Sequence, residues 1–228
     1  MQRHPSQELL DSDFGTPKEV CDSLLDLRWF NRWFGGVATV RGMIQSVVQR
    51  TDATTLSVLE VASGDGYILK TLQPESAATG IDLRITLLDR ILAHFTSNGS
   101  FPKIAGDALR LPFADSTFDL VSCSLFLHHL SPDQAVGFAG EALRVSRHGV
   151  LVHDLVRHPV HLALAYAGLP LYRSRITRND APASVRQAYT MKEMESFFRE
   201  AGAMKIETQE HYFYRMGVIA WKDTAHDL

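Results

Sequence analysis

The chain has 228 residues, 45% of them apolar and 21% charged, with a formal net charge of −3. That length fits one sizeable α/β domain, and the weak negative charge gives no general attraction to nucleic acid or to an acidic membrane surface. Cys21 and Cys123 stand far apart without a CxxC partner, which argues against a disulfide framework and against a thiolate metal site.

Residues 1–15 are polar and read as loose chain, without the apolar core of a signal peptide. The longest apolar stretch, Val160–Leu171, is broken by Gly168 and Pro170 and is too short for a bilayer, so a cytoplasmic enzyme without a membrane span is expected. Thr16-Pro17-Lys18-Glu19 predicts a helix start with a capping box, followed by Val20, Leu24, Leu27 and Phe30 at helical spacing. The aromatic run Trp29–Phe34 stops at Gly35-Gly36, and a second helix over roughly Val37–Gln49 follows. These two helices precede the first strand, so they either cap a ligand pocket with their aromatics or pack on the sheet.

Leu56–Val61 is an apolar, β-prone run that carries Glu60 near its end. It breaks into Ala62-Ser63-Gly64-Asp65-Gly66, and a helix follows from Tyr67 to about Ala77. Strand, tight turn and helix in that order open a nucleotide-binding α/β sheet. Beyond it, Leu83–Leu88 reads as a strand closed by Asp89; the alternative is a helix over Leu83–Phe95 after Gly80-Ile81-Asp82, which leaves Asp82 as the rival acid. A short third strand leads into Gly106-Asp107-Ala108, Phe118–Cys123 is the fourth, and Ser131 caps a helix that ends at Arg147-His148-Gly149. Val150–Leu155 is the fifth strand. Residues 156–189 look irregular: a short apolar helix and a loop with Arg173, Arg175, Arg178, Pro182 and Arg186. Thr190-Met191-Lys192-Glu193 is another capping box, and Met204–Tyr212 and Tyr214–Trp221 pattern as an antiparallel pair.

The turn admits a ligand close to its backbone, and the helix behind it offers free N–H groups. A dinucleotide fingerprint fails at Ala62 and Tyr67, and Glu60 and Asp65 place negative charge where a pyrophosphate would lie. A cationic, phosphate-free cofactor fits better. Here EVASGDG resembles the first motif of the class I S-adenosylmethionine-dependent methyltransferases, (D/E)-x-G-x-G-x-G, with Ala62 in place of the first glycine. LLD at Asp89, GDA at Gly106–Ala108 before LPF, and FDLVSCSLFLHHL at Phe118–Leu130 resemble the family's later motifs in order, the last that of its small-molecule, quinone-methyltransferase-like branch.

The resemblance implies a single Rossmann-like, doubly wound seven-stranded α/β sheet, five strands parallel with a closing antiparallel hairpin and helices on both faces. Residues 1–50 would form an N-terminal helical cap, and residues 51–228 the catalytic domain with a lid-like insertion at about 156–189. S-adenosylmethionine would be held by Glu60, Ala62, Ser63, Gly64, Gly66, Asp89, Arg90, Asp107, Ala108, Leu109 and Ser124. Asp89 (or Asp82) would reach the ribose hydroxyls and Asp107 would lie near the adenine.

Methyl transfer needs donor and nucleophile aligned at roughly 3 Å, water kept out, and a hydroxyl acceptor ionised. His128, His129, His153 and Asp154 are candidate bases at strand ends; His129 is the first choice as catalytic residue, with Asp154 orienting the substrate or pairing with Arg157. No metal set is expected, because His128 and His129 are adjacent in sequence. The Arg173, Arg175, Arg178 cluster reads as a solvated loop or as an attractor of an acidic acceptor. SLFLHH stands where amino-directed nucleic-acid methyltransferases carry NPPY, so a small, apolar, aromatic or phenolic, polyketide-like acceptor is expected, O-methylated. The rival readings are C-methylation of a quinone precursor and a non-catalytic adenosylmethionine-binding homologue. Oligomeric state is left open.

Overall fold

In the computed structural model, which describes residues 1–10, 15–90, 101–211 and 213–222, seven strands form one sheet. They are β1 (Thr55–Val61), β2 (Asp82–Asp89), β3 (Lys103–Ala105), β4 (Phe118–Ser124), β5 (Ser146–Leu155), β6 (Lys205–His211) and β7 (Arg215–Trp221). Their spatial order is β3-β2-β1-β4-β5-β7-β6. The first five run parallel, and β7 inserts antiparallel between β5 and β6. Strand order reverses between β1 and β4, so the crevice at their carboxyl ends is where a ligand is expected.

Alternating side chains of β1 serve two cores. Leu56 and Val58 pack with Val40, Met43 and Val47 of α2 (Gly36–Thr51) and with Leu69 and Leu72 of α3 (Tyr67–Ala78). Leu59 and Val61 face the other side, with Phe138 and Ala142 of α4 (Pro132–Val145) and Met194 and Phe198 of α7 (Met191–Glu200). Each fully buried aliphatic side chain contributes about 1.5–3 kcal/mol, which makes these two layers the main source of stability. α1 (Pro17–Trp33) and α7 begin with complete capping boxes at Thr16/Glu19 and Thr190/Glu193, as their spacing predicts.

The strand reading of Leu83–Leu88 is the observed one, and Asp89 ends β2. Asp82 opens the same strand at its far end, paired with Arg84, and does not line the site cavity. The part of the helical alternative beyond residue 90 lies outside the described residues, as does Tyr212.

Three expectations fail, and one pair of alternatives is divided between two helices. Residues 1–10 are not loose: Arg3 donates to the carbonyls of Gln187, His128 and Leu130, and the Leu9 and Leu10 N–H groups donate to Asp180. The segment is a strap across the molecule. The two helices before β1 divide the roles offered to them: α2 belongs to the sheet core, and only α1 faces the cavity. β5 starts at Ser146, earlier than Val150, through an irregular register with β4 between Phe118 and Leu120.

Finally, residues 156–189 are largely helical, with α5 (Pro159–Ala167) and α6 (Arg175–Gln187). The buried face of α6 includes Asp180, Ser184 and Gln187, so the apolar periodicity that reveals a helix is missing. Arg173, Arg175 and Arg178 are not a free cluster. Arg173 pairs with Asp26 and Arg175 with Glu19 of α1, and Arg178 donates to the Tyr172 carbonyl. Among the described residues no helix is long and apolar enough to cross a membrane.

Candidate active site

The turn after β1 is built on left-handed backbone. Ala62 has φ +51°, Gly64 +51° and Gly66 +70°. A Cβ on Gly66 would stand 2.8 Å from Leu87 Cδ1, so glycine is required there both by conformation and by space. Ala62 holds the same kind of conformation with a Cβ, which costs about 1–2 kcal/mol. The Gly64 N–H donates to Asp89 Oδ2 at 2.8 Å, so the acid ending β2 fixes the turn.

Glu60, opposite Ser122 of β4, is fully buried, and burial pushes its carboxyl up to about 7. Glu60 Oε2, Ser63 Oγ and Ser124 Oγ are buried without a hydrogen-bond partner in the protein. Three such atoms lining one cavity suit a polar ligand, and the carboxylate among them favours a cationic one. The amino and sulfonium groups of S-adenosylmethionine meet that requirement.

All the residues expected to hold the cofactor, from Glu60 through Asp89, Arg90 and Asp107 to Ser124, line a single cavity of about 980 Å³. Asp107 also accepts the Leu109 N–H at 2.9 Å, which shapes the loop after β3. Over the cavity lies α1, contributing Trp29 and Phe30, with Phe34 just past its end. Trp29 and Phe34 rings are 4.9 Å apart, Phe34 and Phe213 4.9 Å, and Phe30 and Tyr172 5.4 Å. Arg28 Nε donates to Asp65 Oδ2 at 2.6 Å and clasps α1 to the turn. Asp65 is thus neutralised by α1, and of the two acids set against a pyrophosphate only Glu60 keeps that force.

The far wall is the helical turn Leu127–His129. His128 is buried: its Nδ1 donates to Asp154 Oδ1 at 2.6 Å, and its Nε2 lies 3.6 Å from Glu8 Oε1. Burial opposes protonation of His128, but Asp154 and Glu8 outweigh it and hold the imidazole up at about 10. Burial alone would raise both carboxyls; His128 keeps each below the usual range. Glu8 arrives on the strap, and its Oε1 accepts from Ser184 Oγ and Gln187 Nε2, each at 2.6 Å.

Not every candidate base reaches this wall. His129 lines the cavity. Asp154 does not; it stands behind His128, where it holds that ring and is paired with it in place of Arg157, whose partner is Glu193. His153 is also fully buried away from the cavity, and burial together with Arg215 brings it down to about 3. The adjacency of His128 and His129 does not separate them either. The tight turn brings their rings to 4.1 Å, and with Glu8 their donor atoms all lie within 4.8 Å of one another. Glu8, Ser184 and Gln187 carry no sequence signal, since single polar residues in polar stretches show no spacing; Arg28 could have been suspected from its place in the aromatic run.

Residues 58–149 match the family model described as methyltransferase domain. A demethylmenaquinone methyltransferase from Roseiflexus sp. (strain RS-1) is 32% identical over 217 residues, 88% of this chain and 87% of the relative. A ubiquinone/menaquinone biosynthesis C-methyltransferase from Desulfotalea psychrophila is 24% identical over 75% of each chain. Among solved structures, the plantazolicin methyltransferase BpumL, in complex with a triazolic desmethylPZN analog and SAH, superposes with a TM-score of 0.69 over 95% of both chains at 15% identity, a likeness of fold. A reversed-order sheet, a left-handed turn with an unpaired buried carboxylate at its edge, and a relative that matches nearly end to end agree on one assignment: this chain belongs to the class I S-adenosylmethionine-dependent methyltransferases that act on small molecules.

Proposed function

We propose that the acceptor is a hydroxylated aromatic ring of the phenol or hydroquinone type, bound between the α1 aromatics and the Leu127–His129 turn. The observation that carries this reading is the composition of the cavity: aromatic rings on one side, and a carboxylate with two imidazoles on the other. A flat apolar ring suits the first, and a hydroxyl to be ionised suits the second. Glu60, Ala62, Ser63, Gly64 and Gly66 hold the methionine end of S-adenosylmethionine, Asp89 and Arg90 the ribose, and Asp107, Ala108, Leu109 and Ser124 the rest of the nucleoside pocket. His129 meets the acceptor hydroxyl, with Glu8 and His128 beside it. Asp154 positions His128. The strap, α5 and α6 form the lid that keeps water from the transferring methyl.

Ionising the ring oxygen serves either outcome, because a phenolate is nucleophilic at oxygen and at the ring carbons beside it. Transfer to oxygen is the simpler course for an acceptor whose hydroxyl faces the cluster. The names of the two relatives favour transfer to carbon on a quinone precursor. Incubation with methyl-labelled S-adenosylmethionine and a panel of phenols, catechols and hydroquinones tests the reading, and the carbon chemical shift of the product separates O–CH3 from C–CH3. Turnover of none of them, with a non-aromatic amine or acid accepted instead, would overturn it.

A further inference from the structure

The cluster on the far wall has more order than a proton acceptor needs. Glu8, His128 and His129 present one donor atom each, all within 4.8 Å of one another, toward the cavity that also holds the cofactor turn. Behind His128, Asp154 accepts from Nδ1 at 2.6 Å, which turns Nε2 inward toward Glu8. A carboxylate on the outer nitrogen of an imidazole is the usual second partner of a metal-bound histidine. Ser184 and Gln187 fix Glu8 from the other side. The separation of Glu8 Oε1 from His128 Nε2, 3.6 Å, is too long for a hydrogen bond and is close to the spacing of two ligands around one tetrahedral ion with bonds of about 2.1 Å.

We propose that Glu8, His128 and His129 bind one divalent transition cation, open on one side to the acceptor pocket, with Asp154 and the Ser184/Gln187 pair as its outer supports. Two imidazoles and one carboxylate suit Zn²⁺, Fe²⁺ or Co²⁺ and not Mg²⁺ or Ca²⁺, which take oxygen ligands. The proposal deepens the phenol reading and rests on it for its purpose: the acceptor oxygen would occupy the open position, its O–H bond breaking as the oxygen–metal bond forms and the proton passing to solvent, with no change of oxidation state. His129 is then a ligand, and the strap is the element that completes the site.

The test uses the full chain after dialysis against a chelator, with Co²⁺ and Zn²⁺ as probes. One equivalent of Co²⁺ is expected to bind with micromolar or tighter affinity and to give the visible absorption of a four- or five-coordinate ion. Glu8→Gln and His129→Asn should abolish that band, and Asp154→Asn should weaken binding by about 10–100-fold. Calorimetric binding of adenosylhomocysteine reports that each variant is folded. Equal Co²⁺ affinity in the Glu8 and His129 variants would assign binding to surface histidines and overturn the site. So would the absence of band and heat up to millimolar metal in a chain that binds adenosylhomocysteine; the cluster would then be an imidazolium held between two carboxylates. Metal bound as described with no phenol methylated would instead defeat the acceptor reading alone.

Discussion

The two ends of the cavity are made in different ways. At the end proposed for the cofactor the contacts span 25 positions or fewer and each has a backbone N–H as donor: Gly64 to Asp89, Leu109 to Asp107, and Gly66 to the Ser63 carbonyl. At the end proposed for the acceptor they are long and each uses a side chain: Arg3 reaches Gln187, Glu8 reaches Ser184 and His128, and Asp26 caps the start of α6 through the Arg173 and Ser174 N–H groups. A backbone cradle recognises a ligand that does not vary. On the proposed reading, a wall of side chains on the strap, α1 and α6 can change its acceptor by substitution without disturbing the sheet. Cofactor affinity and acceptor turnover should therefore respond to different residues.

Gly66→Ala should do the most damage. The methyl would meet Leu87, and the left-handed backbone adds its own cost, for a loss of roughly 2–5 kcal/mol in denaturant melts together with adenosylhomocysteine affinity. Next comes Glu60, whose carboxyl stands at about 7 when folded and near 4.3 when unfolded. Between those values the folded chain keeps a proton that the unfolded chain has released, so ligand-free stability falls as pH rises through the window. The penalty is complete above it, on the order of 3 kcal/mol. Thermal melts from about pH 5 to about pH 8 should show that slope in the wild type and lose it in Glu60→Gln, while S-adenosylmethionine affinity of the wild type rises over the same range. A flat wild-type profile would contradict the assignment of Glu60.

The third test separates the two ends. Glu8→Gln should lower turnover by roughly 10²-fold while adenosylhomocysteine affinity stays within about twofold; an equal fall in both would erase the distinction. The smallest effect is expected from Ala62→Gly, which relieves the left-handed conformation but frees the unfolded chain. It should shift stability upward by no more than about 1 kcal/mol. Tighter cofactor binding would show that the methyl also obstructs the ligand.

Legibility in the sequence follows the same division. β1, the turn, Asp89 and β4 were readable because apolar runs, small residues and strand-end acids recur at fixed local spacing. The capping boxes of α1 and α7 were readable for the same reason. α6 was not, because its buried side is polar and Pro182 sits inside it. Nor was the strap, since its anchors are main-chain groups and single polar side chains whose partners lie far along the chain. Asp154 was placed at the correct strand end but not in the correct direction: neighbours on β5 alternate faces, and which face meets the cavity depends on the packing of α4 and α7. His128 and His129 illustrate the reverse, where adjacency suggested separation and a tight turn brought the rings together.

The strap also imposes an order of events. Its partners Asp180, Ser184 and Gln187 follow Glu8 by more than 170 positions. During synthesis residues 3–10 leave the ribosome long before α6 exists; Arg3 and Glu8 can meet the Leu127–Leu130 turn first, but their remaining anchors wait for α6. Contacts of such separation form late, because the loop must close before they are rewarded. A nascent chain that has passed β4 already holds the residues of the turn after β1, yet the wall that Glu8 completes waits for α6. That wall is therefore among the last parts of the cavity to close.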